Sequence, residues 1–516
     1  MAAFTFRELT PTDFLRRAAE VYGDQMAVVD GDLRIGYRDL HERALALTGV
    51  LADLGIEPGD RVAVLCVNSH VMLEMHNAVP MRGAVLVPLN IRLSVDEMVH
   101  VVEHSGASLL VVTPELLEQA ELVALRTGVH LLESGPGSAY ESGVRSADPQ
   151  PVPCTDERSL LGINYTSGTT GRPKGVMIHH RGAYLQSLSL LVHLGMDSRS
   201  RYLWTVPMFH CNGWCLTWAL SGIGAVHVAL RAIDPDHIWQ LIREEGITHL
   251  SAAPTVLTMI AESDGAKGPP PEPRVAVTTG GSPPSPSLLV RMDSLGFDVT
   301  HLYGLTETFG PIAINEWQRQ WDELDDQAKS QLRARQGVGN VIAEPLRVVD
   351  EAGADVPRDG ETIGEIVARG NDVMLGYYRD DEATAQVDLE GWFRTGDLAV
   401  HAPDGYVEIR DRAKDIIITG GENVASVEIE RAIDSHPAVV ESAVVGMPDD
   451  KWGEVPVAFV TVRNGAVLTA DEVVAHVRTT LAGFKVPRRV VFSELPKTST
   501  GKIQKQVLRA TEVPAR

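Results

Sequence analysis

The sequence predicts an α/β protein: a large N-terminal domain of packed parallel and mixed sheets with covering helices and a β-rich subdomain, followed by a small C-terminal α+β domain. Three changes of texture predict it. From residue 61 to about 304, short apolar runs alternate with longer amphipathic stretches, the rhythm of strands joined by crossover helices. From about 336, short strands follow one another across tight turns, and beyond Asp411 an alternation with its own apolar positions begins. The predicted domains are residues 1–411 and 412–516.

In order along the chain, strands are predicted at 61–66, 109–113, 160–165, 176–178, 202–207, 226–230, 275–279 and 299–303. Helical spacing marks 71–79, 238–243 and 254–260, and Ser94 with Glu97 matches a capping box at a further helix start. Residues 317–335 are charged and helical in composition, which predicts one solvated helix. Hairpins are predicted around Val348-Val349-Asp350-Glu351-Ala352-Gly353, residues 363–368 and Ala402-Pro403-Asp404-Gly405-Tyr406. Strands at 415–418, 439–445 and 457–462, with helices at 427–434 and 471–481, complete the small domain.

The 516 residues, 44% of them hydrophobic, suffice for about three domain-sized cores. A formal charge of -23, from 46 basic and 69 acidic residues, disfavours a general nucleic-acid surface or stable membrane association. An anionic ligand must therefore meet a local basic site. Cys66, Cys154, Cys211 and Cys215 complete neither a metal site nor a disulfide framework, which suits a reducing compartment. Residues 1–31 have no secretory pattern, and no run reaches the roughly 18 apolar residues of a membrane span, so a cytoplasmic protein is expected.

Chemistry concentrates in Tyr165-Thr166-Ser167-Gly168-Thr169-Thr170-Gly171-Arg172-Pro173-Lys174-Gly175. Glycines let backbone N–H groups approach an anion, hydroxyls add neutral donors, and Lys174 adds a mobile positive charge, so the segment predicts a phosphate cradle between two strands. It does not match the Walker pattern. Gly280-Gly281-Ser282 and His301-Leu302-Tyr303-Gly304-Leu305-Thr306-Glu307-Thr308 each follow a predicted parallel strand, where α/β sheets bind ligands. The glycines admit a flat ring, Tyr303 can stack on it, and Glu307 could hold a hard cation such as Mg²⁺ against nucleotide oxygens. Asp397, within Gly391-Trp392-Phe393-Arg394-Thr395-Gly396-Asp397, could accept hydrogen bonds from ribose hydroxyls with Arg412 nearby. Near the end, Pro496-Lys497-Thr498-Ser499-Thr500-Gly501-Lys502-Ile503 places a lysine after a turn.

Together with Pro207-Met208-Phe209-His210 and Lys414-Asp415, these motifs resemble, in order and spacing, the acyl/aryl-CoA ligases of the adenylate-forming enzymes over essentially the whole chain. The resemblance implies a large and a small domain with the active site between them, and ATP, Mg²⁺ and coenzyme A as reactants. Residues 166–174, including Thr166, Ser167, Gly168, Thr169, Thr170, Gly171 and Lys174, would hold the β- and γ-phosphates. Gly280, Gly281, Ser282, Tyr303 and Gly304 would surround the adenine, Asp397 and Arg412 would bind ribose, and Thr166 and Glu307 would contact Mg²⁺. Lys502 would bridge the substrate carboxylate and the α-phosphate, with Thr306, Glu307 and His210 completing the catalytic set. Lys414 would be the hinge of a domain rotation between half-reactions.

The implied partners are a small carboxylic acid, ATP and CoA, in a monomer or homodimer. His210, Asn212, Trp214 and Gly304 would line the acid pocket. Where amino-acid-activating relatives usually place an Asp, this chain has His210, so an amino acid is disfavoured. Of Trp204, Trp214 and Trp218, at least two are expected in the core. If Trp214 faces the pocket, a short, medium, branched or aryl acid fits better than a long chain. A carrier protein or amine as acceptor, and another oxyanion as nucleophile, remain open alternatives.

Overall fold

A computed structural model describes residues 6–166, 173–419, 422–449, 452–463, 465–497 and 503–511. The alternating segments build two large sheets. In the seven-stranded sheet, Leu160–Tyr165, Val85–Pro88, Arg61–Leu65, Ala107–Val112 and His130–Glu133 lie side by side and parallel. Gly175–His179 and Gly376–Tyr377 extend that sheet antiparallel at one edge. The nine-stranded sheet has a parallel centre made by Met26–Asp30, Val226–Ala229, Arg201–Trp204, His249–Ser251, Val275–Thr279 and Phe297–Leu305. These central strands are near-continuous apolar runs because helices cover both faces, as the aliphatic composition of Arg61–Leu65 and Val275–Thr279 predicts.

The helices start and stop where local chemistry directs. Ser94 Oγ accepts from Glu97 N at 3.3 Å and Glu97 Oε2 accepts from Ser94 N at 2.8 Å, closing the capping box of Val95–Ser105. Gly106, at φ +65°, ends that helix in the left-handed conformation. The helices predicted at 71–79, 238–243 and 254–260 extend over His70–Met81, Pro235–Glu244 and Pro254–Glu262.

Residues 317–335 depart from the single solvated helix predicted for them. A 3-10 turn, Arg319–Trp321, precedes a helix at Asp326–Arg333, and Trp321 is buried edge-on against Tyr406 and Trp317, each ring centroid 5.2 Å away. Arg335 packs over the Tyr406 ring at 4.4 Å. The charges hid Trp321, which packs on Tyr406 of the 402–406 turn, far along the chain.

A third, antiparallel sheet takes Arg347–Val349, Ile363–Ala368, Trp392–His401, Asp388–Leu389 and Val407–Arg412. The last sheet pairs Val439–Asp449 with Gly453–Val462 across a long antiparallel ladder and adds Ile417–Thr419, Glu422–Val424 and Arg489–Phe492. Helices Ser426–Asp434 and Ala470–Arg478 cover it around an aliphatic core including Ile429, Ile433, Val444, Val460 and Val477. The N-terminal strands Met26–Asp30 and Leu33–Gly36, unpredicted, close one edge of the nine-stranded sheet.

Candidate active site

Strand ends from two sheets meet at one place. The ladder between Leu160–Tyr165 and Gly175–His179 runs to the pair Tyr165 and Gly175, and Thr166 N donates to Lys174 O at 3.0 Å. The two ends of the predicted phosphate cradle are thus held together. Ser167, Gly168, Thr169, Thr170 and Gly171 lie outside the described residues, as does Lys502.

From the nine-stranded sheet, Phe297–Leu305 runs out into the 3-10 turn Thr306–Thr308, which carries Glu307. Glu307 lies beside the cradle hairpin: its carbonyl accepts from Met374 N at 2.8 Å and its Oε1 accepts from the Tyr377 hydroxyl at 2.8 Å. Tyr377 pairs with Val176 across the sheet edge, and Lys174 Nζ sits 4.8 Å from the Tyr377 ring centroid. Tyr377 had no signal in the sequence beyond a Gly-Tyr-Tyr run.

Asp397 is buried between two donors. Arg412, its antiparallel partner, places Nε 3.0 Å from Oδ1, and the Tyr303 hydroxyl donates to Oδ2 at 2.7 Å. Burial, then Asp397, holds the Tyr303 phenol far above its ordinary range, so it remains a donor. Burial acts to lower the Arg412 pKa, but Asp397 and Tyr303 outweigh it and the net shift is upward. Gly396, at φ +73°, turns the chain before Asp397; its N–H donates to Glu365 Oε1 at 3.0 Å. Glu307, Tyr377, Arg394, Thr395, Gly396 and Arg412 line one cavity of about 270 Å³.

The parallel register of Thr279 with His301 puts residues 280–282 beside Leu302 and Tyr303. Gly281 adopts φ +88°, while Gly304 is glycine for a packing reason, since a Cβ there would lie 1.9 Å from Gly310 O. At Gly280 a Cβ would lie 3.6 Å from the Trp214 ring. Trp214 belongs to five consecutive left-handed residues, Cys211, Asn212, Gly213, Trp214 and Cys215, with φ from 41° to 62°. Four are not glycine, and each such residue costs on the order of 1 kcal/mol, so the surrounding packing must hold the turn.

Two tryptophans are core, as expected: Trp204 Nε1 donates to His227 at 3.2 Å and Trp218 Nε1 to His76 O at 2.9 Å. Trp214 is only partly buried. Asn68 pins the preceding segment, donating to Trp204 O and Val206 O and accepting from Met208 N. Cys211 Sγ lies 3.6 Å from Thr306 Oγ1, so the turn and His210, half-buried just before it, abut the Thr306–Thr308 turn. Burial pushes the Cys211 thiol up to about 12, which keeps it protonated. Asn212 is fully buried, and both polar atoms of its amide lack a hydrogen-bond partner among the described residues.

Among the described residues no group of three or more His, Cys, Asp or Glu gathers as a metal site. The donor chemistry of Glu307 nevertheless suits a hard cation: Tyr377 takes Oε1, and Oε2 has no donor among the described residues. Lys414 is exposed in the turn Ala413–Asp415, directly after the strand that ends at Arg412.

This architecture and these motifs have close counterparts. A family model described as AMP-binding enzyme matches residues 15–378, and one described as AMP-binding enzyme C-terminal domain matches residues 428–502. The chain belongs to the AMP-binding enzyme family. Within it, a 2-methylpropanoate–CoA ligase of Humulus lupulus is 42% identical, over 97% of this chain and 94% of that protein. A peroxisomal acetate/butyrate–CoA ligase of Arabidopsis thaliana is 40% identical over 98% and 94%, and a 4-hydroxybutyrate–CoA ligase of Metallosphaera sedula 41% over 97% and 94%. Among solved structures, ATP-bound MatB of Rhodopseudomonas palustris superposes with a TM-score of 0.86 at 28% identity, covering 97% of this chain and 98% of that one. The amide bond synthetase McbA of Marinactinospora thermotolerans gives 0.85 at 28%, covering 97% and 99%.

Proposed function

We propose that the chain is an AMP-forming acid–CoA ligase acting on a short, branched or aryl carboxylic acid. A carboxylate oxygen attacks the α-phosphorus of ATP, the bond to the bridging oxygen breaks, and pyrophosphate leaves. The thiolate of CoA then attacks the acyl carbonyl and AMP leaves as the thioester forms. The observation that carries this reading is the convergence of Glu307 and Arg412 on one cavity, with Asp397 held behind it and the cradle ends and Lys174 beside it. Charge neutralisation and alignment of two anions is the task such a site performs.

In this reading Lys174 and residues 166–171 receive the departing pyrophosphate, Asp397 and Arg412 take the ribose, and residues 280–282 with Tyr303 and Gly304 flank the adenine. Glu307 and Thr166 would hold Mg²⁺, which when bound offsets charge on the phosphate oxygens. Lys502 bridges the two reacting anions, and the segment 412–516 turns about Lys414 between half-reactions. Trp214, between Gly280 and Gly310, bounds the acid pocket with His210 and Asn212; relatives named for small acids support a short substrate. A cytoplasmic location belongs to the same proposal, although the Arabidopsis thaliana relative named above carries a peroxisomal name.

Pyrophosphate release across a panel of acids, with and without CoA, tests it. Release with a short or branched acid, and thioester on adding CoA, is expected. Turnover that needs an amine instead of CoA, the chemistry in the name of McbA, would overturn CoA as the acceptor.

A further inference from the structure

Tyr377 lines the cavity and stands between Glu307, which also lines it, and Lys174. Its hydroxyl donates to Glu307 Oε1 at 2.8 Å, and its ring lies under Lys174 Nζ at 4.8 Å. The residue sits on the last strand of the seven-stranded sheet, while Glu307 follows a strand of the nine-stranded sheet, so this one side chain ties the two sheets together at the site. Packing alone would account for the ring, which belongs to a buried cluster with Val176, Trp218 and Phe309. It would not account for a phenol aimed at a carboxylate beside a lysine.

We infer that Tyr377 is a positioning residue for adenylation, its hydroxyl fixing the Glu307 carboxylate toward a divalent cation and its ring seating Lys174 for the departing pyrophosphate. The inference rests on the ligase reading above. A glutamate free to rotate presents either oxygen to a cation; with Oε1 engaged by the phenol, Oε2 is left to face the nucleotide. The ring face attracts the ammonium group and localises it without a counter-charge, which leaves it open to an anion.

Two variants separate the hydroxyl from the ring. Tyr377→Phe keeps the packing and the ring. It is expected to melt with wild-type protein and to bind ATP normally without metal by calorimetry. The gain in ATP affinity on adding Mg²⁺ is expected to shrink by about 5-fold, and kcat for pyrophosphate release to fall by about 10-fold with KM for the acid unchanged. Tyr377→Leu is expected also to weaken pyrophosphate binding without metal by about 5-fold. A Tyr377→Phe enzyme with a wild-type metal-dependent gain and wild-type kcat would overturn the inference. So would equal weakening of ATP binding with and without Mg²⁺, the mark of a merely structural role. Wild-type enzyme that releases no pyrophosphate with any acid would instead overturn the ligase reading.

Discussion

Asp397 is a buried carboxylate whose two oxygens both depend on neighbours. Arg412 and Tyr303 each occupy one of its oxygens, and its side chain is 4% exposed. Asp397→Asn removes the charge that balances Arg412, whose own side chain is 27% exposed and partly solvated. Breaking a buried pair costs about 3 kcal/mol, and the residual exposure of Arg412 places this variant at the low end of such losses. Urea unfolding is expected to show that loss, together with an ATP KM raised by about 10-fold, which steady-state kinetics reads. The residues of this site were legible to different degrees. The segment 166–175 can be read as a candidate phosphate site from sequence alone because its hydroxyls, glycines and lysine are all local, whereas Tyr377, Asn68 and Glu365 act across 70, 140 and 31 residues of sequence and leave no local trace.

At the level of elements, a buried polar bridge holds the helix His180–His193 to the end of the nine-stranded sheet. Gln186 Nε2 and Asn340 Nδ2 both donate to Pro311 O at 2.8 Å, and Asn340 Nδ2 also donates to Asp372 Oδ2 at 3.0 Å. Burial pushes the Asp372 carboxyl up to about 7. In the unfolded chain the same group titrates near 3.8, so between these values the native state holds a proton that the unfolded state has lost. Stability from this group therefore declines as pH rises from about 4 to about 7, by a total on the order of 4 kcal/mol. Asp372→Asn keeps an oxygen for Asn340 and removes the titration. Thermal melts are expected to show the variant more stable than wild type at pH 8, with most of that advantage gone at pH 4.5; a difference that does not vary with pH would refute this. Elements whose pattern is local, such as the Ser94 capping box and the Val275–Thr279 strand, were legible in the sequence. Residues 317–335 were not, because Tyr406, the partner of Trp321, lies beyond the reach of composition.

Across the whole molecule, the last sheet is joined to the rest through Arg412–Lys414 and a few polar contacts. Arg431 Nη1 reaches Glu408 Oε1 at 2.8 Å, Ser426 N donates to Asp411 Oδ2 at 2.5 Å, and Arg463 pairs with Glu262 at the end of Pro254–Glu262. Both arginine pairs are partly exposed, so each contributes roughly 0–1 kcal/mol to stability. That is too little to matter for folding, yet 1 kcal/mol changes a balance between two domain orientations about 5-fold. If adenylation and thioester formation use different orientations, removing these pairs must move the two half-reactions in opposite directions. Arg431→Gln with Arg463→Gln is expected to leave Tm within about 2 °C of wild type. The ratio of adenylate-formation rate to thioester-formation rate from supplied acyl-adenylate is expected to change by at least about 3-fold, one rate rising as the other falls. Added salt should shift wild-type enzyme the same way, because partly exposed ion pairs are screened over about 8 Å at 0.15 M and over a shorter distance at higher salt. Equal slowing of both half-reactions would show that the pairs act within one orientation only.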